Sequence, residues 1–366
     1  MNDLKKIRAM DDFGFIKEKF YKNRKVLVTG HTGFKGTWLC RMLFNMGAIV
    51  TGYSLEPPTQ PNLFSMADIE NKIHSVAGDI RDLKHLRNIF EKVQPEIVFH
   101  LAAQPIVRES YKEPRYTYET NVMGTVNMLE CVRHTASVKS FLNVTTDKVY
   151  LNKERTKGYK EDEPLDGYDP YSNSKSCSEL VTHCYKNSFF ADGKVAISTA
   201  RAGNVIGGGD FAQDRIIPDC VRAMQEGEII KVRNPRSIRP YQHVLEPLAV
   251  YLIIAAKQFG NGCYAGYYNV GPDDCDCITT GELADLFCKC WGEEVKWESK
   301  TESNAPHEAN FLKLNCSLLK KTFGWQPRWH IEEAIQKTCA FSKVWLQGGN
   351  IPAEMDKEIE EFFGEM

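Results

Sequence analysis

The chain has 366 residues, 42% of them apolar and 26% charged, enough to bury a sizeable core and to build about two domains. Its 46 basic and 48 acidic residues leave a net charge of −2, which gives no footing for non-specific binding to nucleic acid or to a membrane surface. No apolar run reaches the ~18 residues of a membrane span, and the opening MNDLKKIRAMDDFGF has no apolar leader core, so the expected location is the cytoplasm.

Residues 1–24 read as a helix-prone N-terminal extension, basic at Lys5, Lys6 and Arg8, with Phe13, Phe15, Ile16 and Phe20 offering a packing face. The first strand is read from Val26, Leu27 and Val28, an unbroken apolar run that suits burial on both faces. It ends in a glycine turn, Gly30, Gly33 and Gly36, and a helix is expected from Trp38 to Met46. Strand, glycine turn and helix N-terminus together make an anion site, because unpaired N–H groups and the helix dipole face a pyrophosphate that glycine lets approach closely. The spacing is G-x-x-G-x-x-G and points to a dinucleotide.

Ala48–Gly52 and Ile73–Ala77 follow as strands two and three, then a helix over Leu83–Val93 and strand four over Glu96–Leu101. A long helix is expected over Thr117–His134, and strand five over Phe141–Thr145 runs into Thr146-Asp147-Lys148. Asp169 and Pro170 supply a cap and a first-turn proline for a helix to about Asn187, and Val195–Ala200 is strand six. This alternation describes an α/β fold, a Rossmann-like doubly wound parallel sheet occupying residues 25–200. Beyond Arg201 the rhythm changes: Gly207-Gly208-Gly209-Asp210 is a loop and Ile216–Gln225 a helix. Residues 201–366 are read as mainly a smaller, interleaved substrate-binding lobe, with segments near 239–258 returning to the sheet.

The twelve cysteines are scattered, which suits reduced thiols better than disulfides. Cys275-x-Cys277 and Cys288-x-Cys290 superficially suggest zinc, but the second pair falls on a helix, where residues two apart diverge, so no metal is expected.

Tyr171 and Lys175 lie four apart on one helix face. An ammonium beside a phenol lowers the phenol pKa from about 10 and makes it a proton acceptor. On spacing alone this is also an ordinary surface pair, and it is the nucleotide-binding sheet that makes it chemical.

The TGxxGxxG turn from Thr29, His100-Leu101-Ala102-Ala103, Asn121 and the Tyr171/Lys175 pair together resemble the extended short-chain dehydrogenase/reductase superfamily. Longer matches narrow the likeness. GHTGFKGTWL, the Tyr53–Thr59 run, HLAAQPIVRESY, Thr146-Asp147-Lys148, DPYSNSK and RAGNVIGGGDF resemble the CDP-glucose 4,6-dehydratase family. So do Arg215–Asp219, Arg239–Val244 and His307-Glu308-Ala309. The resemblance implies NAD as a permanently held cofactor and CDP-D-glucose as substrate. Tyr171 would take the 4-hydroxyl proton as hydride leaves C4. The 4-ketone would acidify C5, water would leave across C5 and C6, and hydride would return to C6. Thr146 would hold the 4-hydroxyl and Asp147 would act as the acid at the 6-hydroxyl. Lys148 stands where dehydratases for other nucleotide sugars carry Glu. It would serve either as C5 base, with a pKa lowered by burial, or as an electrostatic stabiliser of the enolate.

For the cofactor, Gly30, Thr32, Gly33, Phe34 and Gly36 would surround the pyrophosphate, Asp79 and Ile80 the adenine, and Leu101, Ala102 and Ala103 the nicotinamide ribose. Tyr171 and Lys175 belong to both sets. Ser54 stands where an acidic residue usually holds the ribose hydroxyls, and no arginine there welcomes a 2′-phosphate. Asn204, Arg215, Arg239 and His243 are candidates for the substrate, with Gln104, Arg108 and Ser110 near the sugar. A 4-epimerase needs no acid at the 6-hydroxyl, so Asp147 argues for elimination; a non-catalytic NAD-binding protein has no use for Tyr171, Lys175 and Asp147 together. The resemblance further implies a homodimer or homotetramer, and a place in deoxysugar synthesis for lipopolysaccharide O-antigen.

Overall fold

The computed structural model describes residues 19–292, 294–300 and 311–364. The N-terminal extension up to residue 18 and the His307-Glu308-Ala309 motif therefore lie outside the described residues. Six strands alternate with helices: β1 (Lys25–Thr29), β2 (Ile49–Ser54), β3 (His74–Ala77), β4 (Ile97–His100), β5 (Ser140–Thr146) and β6 (Ala196–Ala202). Together with Tyr267–Val270 they form one seven-stranded parallel sheet, in the order Tyr267–Val270, β6, β5, β4, β1, β2, β3. The strand order reverses between β1 and β4, and the crevice at that switch is where such sheets bind ligands.

Successive side chains explain why the strands read as unbroken apolar runs. Val26 and Val28 enter one core while Leu27 enters the other. Ile97 and Phe99 against Val98, and Leu142 and Val144 against Phe141, repeat the alternation. The first core is closed by helices Phe34–Asn45, Leu245–Gly260 and Ile351–Gly364, the second by Leu83–Val93, Gly124–Arg133 and Pro170–Phe189. Leu245–Gly260 is apolar almost all round and buried from Leu245 to Ala256, as a helix covered on both sides must be. Beyond residue 201 the chain thus meets the sheet twice, as this helix on one face and as Tyr267–Val270 on the edge. A third core joins helices Ile216–Glu226, Thr280–Trp291 and Ile331–Leu346. Thr279 and Glu282 form a reciprocal capping box at the start of the second of these.

Two helices depart from the sequence reading. The first begins at Phe34, a full turn before Trp38, with Gly33 as N-cap. The expected Thr117–His134 helix runs through Pro114–Tyr118, a π turn at Glu119–Met123, and Gly124–Arg133. At that wide turn Asn121 accepts from the Gln104 amide at 2.8 Å and donates to the Gln104 carbonyl and Ser174. Among the described residues no helix is long and apolar enough to cross a membrane, and all twelve cysteines are free thiols.

Candidate active site

The glycine turn closes over the end of β1. Gly30 has φ +75°, and a Cβ there would lie 2.8 Å from the Ala102 nitrogen, so conformation and space both demand glycine. At Gly36 a Cβ would come within 2.0 Å of the Gly30 carbonyl oxygen; its absence lets the helix start directly on the turn. Above Gly33 the space is open, since a Cβ there meets only the Gly30 oxygen at 3.5 Å. Gly33 has no side chain to cap the helix, which leaves first-turn N–H groups free to receive a diphosphate. Thr32 donates to the Leu55 carbonyl at 2.9 Å and lies 2.9 Å from the Ser54 hydroxyl, fixing the turn to the end of β2. Leu101, Ala102 and Ala103 follow β4, half-buried beside the turn, with Thr29 accepting the Ala102 amide at 3.2 Å.

The far end of this crevice is a cleft of about 490 Å³ lined by Asp79, Arg81, Asp82, Glu119, Met123 and Asn127. Burial pushes the Asp79 carboxyl up, but hydrogen bonds from Arg81 outweigh it and hold the group below its usual range. Asn127 pins the Ile80 carbonyl at 2.9 Å. These residues fit a dinucleotide: an open glycine cradle for the diphosphate, and a cleft at the β3 end for a base.

Thr146 ends β5, and Asp147–Val149 make one tight turn. Thr146 donates to Asp147 Oδ1 at 3.0 Å, while Oδ2 is buried without a partner. Burial raises the Asp147 pKa against the opposing charges of Lys148 and Arg239. Asp169 caps Pro170–Phe189 and so sets Tyr171 in its first turn. Thr146 and Asp147 both act on the nearby Tyr171 phenol, Thr146 lowering its pKa and the Asp147 charge raising it. Acid, hydroxyl and phenol therefore share one pocket.

Lys175 lies one turn along and 5% exposed, its Nζ donating to the Val144 carbonyl at 3.1 Å. Burial lowers its pKa to about 8, with Glu179 opposing. The expectation that this ammonium dominates the phenol is corrected here. Burial raises Tyr171 to about 12, and the groups working against it are Thr146 and Arg215. Lys35, inside the glycine turn, was missed by the sequence reading although it stands in the quoted GHTGFKG. Burial, with Lys175 and Arg215 nearby, lowers it to about 7, and its Nζ reaches the Tyr251 hydroxyl at 3.3 Å.

Of the expected substrate residues, Arg215 and Arg239 come to this pocket, since their charges act on Tyr171 and Asp147. Arg215 is held at 2.8 Å by Asp210. Asn204 presents a buried, unpartnered Nδ2. Other candidates turn elsewhere. His243 is 0% exposed, stacked edge-on against Trp329 with Nε2 3.5 Å from Glu358, so it belongs to the seat of the C-terminal helix. Gln104 is spent on Thr117, Asn121 and the Ile106 amide, and the Ser110 hydroxyl on the Val107 carbonyl. Arg108 approaches Asp214 at 3.8 Å. Cys275 meets Asp276 and His330, and Asp276 caps Ile331 at 2.9 Å while contacting His330 at 2.9 Å.

A doubly wound sheet with this glycine cradle, and a Tyr-x-x-x-Lys helix beside it, defines a short-chain dehydrogenase/reductase of the extended type. The chain belongs to the GDP-mannose 4,6 dehydratase family, whose profile matches residues 27–338. It is 46% identical over 353 residues to a CDP-glucose 4,6-dehydratase of Salmonella typhimurium, covering 95% of this chain and 98% of that one. To a dTDP-glucose 4,6-dehydratase of Haemophilus influenzae it is 26% identical over 338 residues, covering 86% and 96%. Among solved structures, the Bacillus anthracis dTDP-glucose 4,6-dehydratase in complex with NAD superposes with a TM-score of 0.74 at 22% identity, over 87% of this chain and 96% of that one. A Thermotoga maritima UDP-glucose 4-epimerase with UDP-glucose gives 0.75 at 22%, over 88% and 99%.

Proposed function

We propose that this protein is a lyase that converts CDP-D-glucose to CDP-4-keto-6-deoxy-D-glucose and water. One observation carries the reading: Thr146 bonds the Asp147 carboxyl, and Thr146 and Asp147 both lie close enough to the Tyr171 phenol to act on it, so an acid and a base meet one hexose. Residues 25–200 hold NAD and residues 201–366 mainly the nucleotide sugar. Bound NAD would supply the hydride acceptor for C4 and the hydride donor for C6.

Tyr171 takes the 4-hydroxyl proton, oriented by Thr146, with Arg215 and Lys175 supplying positive charge around the site. Lys148, next to Asp147 in the same turn, stands at C5 as base or as electrostatic stabiliser of the enolate. Asp147, whose pKa burial raises, gives a proton to the departing 6-hydroxyl. Arg215, Arg239 and Asn204 hold the diphosphate and sugar; His243, Gln104 and Ser110 are left out because their side chains are engaged inside the protein. The enzyme works in the cytoplasm as a homodimer or homotetramer. Exposed Met123 and Leu180 on neighbouring helices support pairing through that face. Its product suits deoxysugar synthesis for lipopolysaccharide O-antigen.

The test is to offer CDP-glucose, UDP-glucose, dTDP-glucose and GDP-mannose side by side and weigh the products. CDP-glucose is expected to lose one water; a product of unchanged mass would mean epimerisation and overturn the reading. Tyr171→Phe is expected to lower C4 oxidation ~10²–10⁴-fold, read as keto-sugar absorbance, and near-normal turnover would remove its role.

A further inference from the structure

The residue facing the elimination acid across the strand ends is a glycine. Thr146 of β5 pairs with Ala202 of β6, so Asp147 and Gly203 leave the sheet side by side. A Cβ built on Gly203 would lie 2.2 Å from Asp147 Oδ2, 2.6 Å from its Cγ and 3.2 Å from Pro240 Cγ. Gly203 does not have a left-handed backbone, so conformation leaves the position open to other residues. Space alone requires glycine, and the atoms filling that space are the carboxyl of the acid.

We propose that Gly203 is a positioning residue for elimination: by carrying no side chain, it admits the Asp147 carboxyl to its slot between the ends of β5 and β6. The inference rests on the dehydratase reading above. In that step the C5–H bond breaks, its proton passes to the base at C5, and its electron pair forms the C5–C6 double bond conjugated to the 4-ketone. The C6–O bond breaks, and the hydroxyl leaves with the Asp147 proton as water. C4 oxidation uses Tyr171 and does not need the carboxyl in this place. An added methyl at 203 pushes Asp147 toward the cleft, out of line with the 6-hydroxyl, while leaving the phenol where it is.

The experiment is rapid mixing of the NAD-loaded Gly203→Ala enzyme with CDP-glucose, following reduced-nicotinamide absorbance and product mass separately. Oxidation is expected within about threefold of the unaltered enzyme and water loss ~10²-fold slower, the scale of an ångström's misplacement, so that reduced cofactor accumulates. A general structural defect lowers both halves together and overturns the proposal. So does water loss at the unaltered rate. In an Asp147→Ala background, Gly203→Ala is expected to add no further loss. Should Gly203→Ala alone fail to fold, the Asp147→Ala/Gly203→Ala pair is expected to melt with Asp147→Ala, because the obstructing carboxyl is gone; a double variant that stays unfolded refutes the contact. If the unaltered enzyme releases no water from CDP-glucose, the dehydratase reading fails and takes this one with it. If the unaltered enzyme dehydrates normally and Gly203→Ala matches it, only the positioning role fails.

Discussion

Two carboxyl groups flank the same strand, β5, each 1% exposed, and they are treated in opposite ways. Glu179 lies under the strand on the Pro170–Phe189 helix. Its Oε1 accepts from Thr145, and its Oε2 from Thr199 at 2.7 Å and Arg201 at 3.0 Å. Arg201 carries the network on to the Tyr150 hydroxyl at 2.8 Å and the Glu161 carbonyl at 3.0 Å. Asp147, at the end of the strand, has one bond from Thr146 and a bare Oδ2. Burial is equal, so the difference is in partners. The satisfied group fastens helix to sheet, whereas burial shifts the unsatisfied one toward holding a proton that it can give away.

The sharpest way to break this comparison is to delete the satisfied group. Glu179→Ala leaves Arg201 charged and buried, and is expected to lower stability by about 3–5 kcal/mol in urea denaturation. A loss under about 1 kcal/mol would mean that the network is not what joins the helix to the sheet. Asp147→Asn should do the reverse. Stability is expected to stay within about 1 kcal/mol, since the replacement is isosteric and Oδ2 had no partner to lose, while water loss falls ~10²–10⁴-fold and reduced nicotinamide accumulates. Large destabilisation together with normal product would place Asp147 with Glu179 as a structural residue.

These contrasts show which parts of the site could be read in advance. The glycine turn, the Asp169–Pro170 cap and the strand alternation are local signals, set by residues a few positions apart, and the sheet they imply is the sheet observed. What failed depended on distant contacts. Lys35 meets Tyr251, 216 residues away, and Trp38 donates to the Gly208 carbonyl at 3.0 Å. Arg41 is seated by Asp356 of the last helix. His243 reads as a loop donor until that helix and Trp329 are in place over it. The phenol went wrong for the same reason: spacing shows that Lys175 is a helical neighbour, but only the folded core shows that burial outweighs it.

That burial makes a smaller, pH-dependent prediction. Lys175 releases its proton near pH 8 in the fold, against 10.5 for the ordinary side chain. Between these values the unfolded chain binds more protons, so the lysine's contribution to stability rises with pH through this window and is lost as pH falls through 8. Lys175→Met is expected to flatten the rise, of order 2 kcal/mol, in denaturation series from pH 7 to 10.5. An unchanged slope would put the titration elsewhere, with Lys35, lowered to about 7, the first group to examine.

Glu246 completes the series because it stands between the two carboxyls of β5. Its Oε1 accepts from the Arg328 and Trp329 amides at 2.8 and 2.7 Å, and its Oε2 has no partner. Burial raises its pKa to about 8 from 4.5, against those two amide bonds. The folded state therefore keeps a proton that the unfolded chain releases. The resulting stability is complete below about pH 4.5 and is lost as pH rises through 8. Glu246→Gln keeps the accepting carbonyl and removes the titration. The variant is expected to match the parent near pH 5 and to exceed it by about 3–4 kcal/mol above pH 8, because the parent alone loses the linked stability across that range. If the two denaturation curves stay parallel from pH 5 to 9, half-satisfied burial is not storing a proton at Glu246, and the account of burial raising the Asp147 pKa loses its nearest control.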